Sequence, residues 1–115
     1  MIPTDWTPYV RESDGELLGY LVEHDGVATP LTVFGYPLAG SSDRDGAVEV
    51  LRTRGLTALA ERWLLHTDDG REVSVLILAA YPDEVLVAQA DYGFVSHDSE
   101  RFTVPVPAEG RLQPA

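Results

Sequence analysis

REVSVLILAAYPDEVLVAQAD, residues 71–91, is the stretch that decides the fold. Val73, Val75 and Ile77 fall on one side of an extended chain, and Leu76, Leu78 and Ala80 fall on the other. A β-branched apolar run of this length, bounded by turn residues, predicts a strand over 72–80. Tyr81-Pro82-Asp83-Glu84 supplies the turn, and 84–90 returns antiparallel, with Gln89 interrupting its apolar face. A strand that is apolar on both sides belongs inside a sheet and is covered twice, by a helix or by a closing sheet. The chain is therefore built on a sheet.

Downstream, Phe102, Val104 and Val106 alternate with Thr103, Pro105 and Pro107. Residues two apart point their N–H groups to the same side, so both prolines delete donors from one edge. A strand at 102–106 is expected at a sheet edge, proline side outward, where it also blocks edge-to-edge pairing. Residues 108–115 read as a loose tail.

Upstream, strands are expected at 6–12, 17–24 and 27–36. Asp14-Gly15 and Asp25-Gly26 flank the second of these as hairpin turns, because glycine tolerates positive φ. In that strand Leu18, Tyr20 and Val22 share one face, and Leu17, Gly19 and Leu21 share the other. Pro30 places the third strand at an edge or a bulge. A helix is expected over about 43–54: Ser42 caps, Asp45 completes a box-like pattern, and Ala47, Val48 and Leu51 share a face. Asp43 and Asp45 suit its positive end and Arg52 and Arg54 its negative end, with Gly55 as a left-handed stop. Residues 56–61 fit either a helical turn or an extended lead-in, 63–67 reads as extended, and Asp68-Asp69-Gly70 turns the chain into the long strand.

The expected fold is α+β and predominantly β. It is a small antiparallel barrel or strongly curled sheet of six to seven strands with one α-helix, and residues 1–115 form a single globular domain. Strands, then one helix, then strands is an order similar to that of an OB-fold. The likeness lies in element order alone and carries no function, because function belongs to sites rather than folds.

Composition excludes several chemistries. The 115 residues contain no cysteine, so disulfides, thiol catalysis and cysteine zinc sites are ruled out. They contain no lysine, which removes Schiff-base chemistry and a P-loop lysine. The absence of lysine and asparagine, with isoleucine only at Ile2 and Ile77, points to a GC-rich bacterial genome. Nineteen acidic side chains against eight arginines give a net charge of −11. Phosphate contacts need cations, so a nucleic-acid partner is not expected, and the same holds for an anionic membrane. The charge keeps the chain dispersed and would speed encounter with a basic partner. The first residues lack the basic and apolar regions of a signal peptide, so a cytoplasmic protein is expected.

Three histidines lie near carboxylates: His24-Asp25, His66 before Asp68-Asp69, and His97-Asp98. Imidazole with carboxylate can ligate a divalent ion or act as acid and base. His24 and His66 both precede turns and so could share one end of the sheet. Asp and Gly nevertheless belong in turns, and no tight ligand spacing is present. Asp43-Arg44-Asp45-Gly46 looks like the start of an EF-hand loop, but Arg54 stands where the bidentate glutamate is required. GYPLAG at 35–40 lacks the ending of a phosphate loop, and no GxSxG is found. No catalytic, cofactor or metal residue is assigned. Trp6, Tyr9, Tyr20, Phe34 and Tyr36 crowd the first third of the chain, either as sheet packing or as a partner surface.

The expected function is a non-enzymatic module that binds a protein partner, one of basic character, or associates with itself as a dimer. The alternative is a small-molecule-binding or metal-assisted enzyme using His24, His66 and neighbouring Asp residues. A dominant cleft with converging side chains would favour the second, and a flat apolar patch the first.

Overall fold

A computed structural model describes residues 2–90, 94–108 and 110–115. Asp91, the last residue of the decisive run, lies outside them, as do Met1 and Glu109. The described chain is mostly β, with one α-helix and two sheets. Strands β1 (Trp6–Val10), β2 (Leu17–His24) and β3 (Val27–Leu31) form a small antiparallel sheet in that order. Strands β4 (Arg62–His66), β5 (Glu72–Ala80), β6 (Glu84–Gln89), β7 (Arg101–Pro105) and β8 (Leu112–Pro114) form a larger one, ordered β7-β6-β5-β4-β8. Among the described residues the strands close no barrel.

The helix α1 (Arg44–Arg54) packs on β2 and β3 through Ala47 and Leu51. Its cap is Asp43 rather than Ser42: Asp43 Oδ1 accepts from the Gly46 N–H at 2.8 Å, while Ser42 Oγ donates to the Asp43 carbonyl. Asp outcompetes its neighbour because an ionised oxygen makes the stronger bond at the positive end of the helix dipole. Gly55 also departs from expectation. It ends the helix at φ −57, ψ −53, in the right-handed region. A Cβ there would run into the carbonyl oxygens of Leu18 and Leu51, so the glycine is required for close approach of helix to strand. Residues 57–60 make a 3₁₀ turn, whose Ala58 carbonyl accepts a 2.8 Å bond from the Trp63 indole N–H.

Two irregularities break strict alternation. In β2 the register against β1 shifts between Tyr9 and Val10, leaving Leu18 unpaired, and Gly19 takes φ +152, which only glycine adopts freely. Leu18 and Leu21 consequently face α1 together, whereas Leu17 and the Trp6–Tyr20 ring pair (centroids 5.3 Å apart) face the larger sheet. In β5 the register shifts between Ile77 and Ala79, with Leu78 as the extra residue. Ala79 then pairs with Leu86 on the outer face and Ala80 with Val85 on the inner one, so Ala80 does not share a face with Leu76.

The main core lies on the inner face of the large sheet. Trp63, Leu65, Val75, Val85, Val87, Val104 and Leu112 line it, and the chain leaving β3 inserts Val33 and Phe34 against them. Phe34 and Tyr36 meet the Trp63 ring edge-on at 4.9 and 5.1 Å, and the Ala108 N–H bonds to the Phe34 carbonyl. The expected third strand therefore stops at Leu31, because 32–36 turns back through the Thr32 and Tyr36 backbone bond to reach this core. The expected loose tail is also replaced by structure. Leu112 is 1% exposed and β8 pairs with β4, forming the edge opposite β7.

Candidate functional site

The expected His and Asp positions are dispersed. His24 ends β2 on the small sheet and, with Asp25, Glu23 and Arg44, lines a surface hollow of about 310 Å³. Arg44 and Glu23 pair across it at 2.8 Å, which neutralises the strongest charges there. His66 ends β4 on the other sheet, its Nδ1 3.9 Å from Glu72 on the paired strand. It does not line the hollow. His97 lies in the chain between β6 and β7. Among the described residues no three His, Asp or Glu side chains gather in a way that could hold a metal ion. Asp43 and Asp45 belong to the start of α1, and the caps explain them without an ion.

The aromatic cluster resolves mainly as packing. Phe34 is fully buried, Tyr20 nearly so, and Trp6 and Tyr36 are half-buried against the main core. Tyr9 turns to the other side of β2 and packs against the helix cluster.

On the outer face of the large sheet neither the helix nor the 3₁₀ turn packs among the described residues, although Ala88 is 0% exposed there and Ser74 Oγ is sealed from water. Cross-strand partners in an antiparallel ladder share a face. Arg62, Leu76, Ala88 and Arg101 thus stand in one row across β4, β5, β6 and β7. Gln113, Leu64 and Ser74 form a second row, and Ala79, Leu86 and Thr103 a third. Leu64, Leu76 and Leu86 are half-buried. The helix packs on β2 and β3, and the 3₁₀ turn joins the inner core through Ala58, so neither covers these leucines. The two arginines of the first row make no ion pair among the described residues, although Arg101 donates to the Ser99 carbonyl. By contrast, Arg11, Arg44, Arg71 and Arg111 each hold a carboxylate within 3.1 Å. Sequence periodicity had marked Leu76 as a face residue but assigned it a cover.

No family model, curated protein or solved structure matches the chain. No helix of the described residues is long and apolar enough to cross a membrane.

Proposed function

We propose that the protein is a non-enzymatic binding module that engages a protein partner or a second copy of itself through the outer face of its large sheet. One observation carries this reading: Leu64, Leu76 and Leu86 share a sheet face and stay half-exposed there, and neither the helix nor the 3₁₀ turn packs on it among the described residues. Apolar area left in water costs about 25 cal/mol per Å², so a contiguous strip of it favours a partner. The dispersed histidines give the metal-assisted alternative no comparable support.

Five strands about 4.8 Å apart, with about five residues each at about 3.4 Å, span roughly 400 Å². A standard interface takes about 800 Å² from each side, so the contact is transient unless neighbouring surface joins it. Arg62 and Arg101 flank the central row and favour a seam that carries acceptors. The acidic remainder of the molecule speeds encounter with a basic partner. The chain acts as one domain: adjacent Leu17 and Leu18 pack into different clusters, and Leu38 touches both.

The test is affinity capture of tagged wild type and Leu76→Glu from the native cell, together with sedimentation of both across a concentration range. The reading predicts a partner chain, or a self-association, that wild type shows and Leu76→Glu loses. Leu76 is half-buried, so the substitution is expected to cost about 1 kcal/mol, and both proteins are compared well below the variant's melting temperature. A monomeric wild type without partners, or a partner that Leu76→Glu retains, rejects the reading.

A further inference from the structure

A cleft of about 120 Å³ opens beside the turn between β5 and β6, on the inner side of the large sheet. Leu17, Val33, Leu56 and Leu59 line it, and Tyr81, 54% exposed, stands at the lip. A dry cavity of about 150 Å³ holds a benzene-sized guest, so this cleft suits a group of about five or six heavy atoms. A metabolite pocket starts at about 300 Å³, well above it.

Tyr20 and Glu16 line this space, and neither side chain has a hydrogen-bond or ion-pair partner among the described residues. Tyr20 lines the cleft and is 4% exposed, and its hydroxyl bonds to none of the described residues. The only unpaired side-chain oxygen or nitrogen sealed from water among them is Ser74 Oγ, so the Tyr20 hydroxyl retains access to the cleft. Burial raises its pKa, which keeps it neutral and able to accept as well as donate. Glu16 lies at the mouth and makes no ion pair among the described residues. A tight turn holds it there: the Arg11 N–H bonds to the Glu16 carbonyl at 2.8 Å, and the Glu16 N–H bonds to Asp14 Oδ1 at 3.1 Å.

We propose that this cleft binds a compact aliphatic ammonium, with its stem among Leu17, Val33, Leu56 and Leu59 and its head between the Tyr20 hydroxyl and the Glu16 carboxylate. An ammonium group carries three donors and no acceptor, which matches two acceptors left open. The Tyr81 ring at the lip favours the same charge. A free amine and a lysine side chain of another protein present this chemistry alike. The site lies apart from the outer face, so it stands or falls independently of the docking reading.

The experiment is an NMR titration of the full chain with n-butylammonium chloride at constant ionic strength. 1-Butanol serves as the neutral isostere and N-acetyl-lysine amide as the side-chain probe. The expected result is saturable shifts of the Leu17, Val33 and Leu59 methyls with a dissociation constant of about 1–10 mM. Glu16→Gln should weaken n-butylammonium about three- to fivefold and leave 1-butanol unchanged, the range for a solvent-exposed charge contact. Tyr20→Phe should weaken the ammonium while retaining the fold. N-acetyl-lysine amide binding equally well assigns the cleft to a lysine side chain, and its failure beside a binding n-butylammonium assigns it to a free amine. Both outcomes sustain the ammonium site. Absence of saturable cleft shifts at about 100 mM, equal affinity for 1-butanol, or an unaltered Glu16→Gln overturns it.

Discussion

Gly55 shows how one atom can reverse a propensity argument. Its backbone is right-handed helical, so helix propensity alone says Gly55→Ala should stabilise by up to about 1 kcal/mol. The added Cβ would, however, meet two backbone carbonyls, those of Leu18 and Leu51, which cannot swing aside as a side chain would. Overpacking of this kind costs about 1–3 kcal/mol. Gly55→Ala is therefore expected to lower the denaturant midpoint, and a raised midpoint would show that the helix can lift away from β2. Asp14 makes a second residue-scale prediction. The Arg11 guanidinium, and then the Glu16 N–H, hold its carboxyl at about 2, below the ordinary 3.8. A depressed folded value means the interaction is fully present above 3.8 and fades as pH falls through about 2. Carboxyl-carbon NMR should give a midpoint near about 2 for Asp14, and Arg11→Ala should return it toward 3.8. The pair is exposed, so the titration is the readout rather than stability.

At the scale of elements, the strong periodic runs were legible and their exceptions were not. The strands β2 and β5 and the turn at Tyr81 follow from alternation and from Asp-Gly and Pro-Asp punctuation. The edge positions of β3 and β7 follow from Pro30 and Pro105, which cannot donate to a ladder. The bulges at Leu18 and Leu78 left no such mark. Each inserts one residue and flips everything beyond it, so Tyr20 and Ala80 change faces although no residue type forbids the regular pattern. Strand β8 was missed because three residues ending in proline carry almost no periodic signal. It forms because Leu112 fills the core beside Leu65 and the backbone of β4 needs a partner on that side. Leu112→Ala should cost about 2–5 kcal/mol in chemical denaturation, the range for a buried leucine. A loss under about 1 kcal/mol would instead mean that the C-terminal strand frays freely. Of the candidate site residues, His24 and His66 were visible as residue types, but their placement on separate sheets depends on where the chain crosses over, which local pattern does not encode.

Across the whole molecule the order is helix, small sheet, core, large sheet, and then no further layer among the described residues. A strand such as β5, apolar on both sides, normally signals two covers, and among the described residues the helix and the 3₁₀ turn leave its outer face without one. The proposed docking function rests on that mismatch, so the openness of the face is what most needs measuring. A soluble nitroxide broadens methyl resonances according to their approach to solvent. Recorded on the free protein at low concentration, the methyls of Leu64, Leu76 and Leu86 should broaden strongly, while those of Val75, Val87 and Val104 should be spared. If the three leucines prove as protected as the valines, the face is already covered and the docking account is wrong.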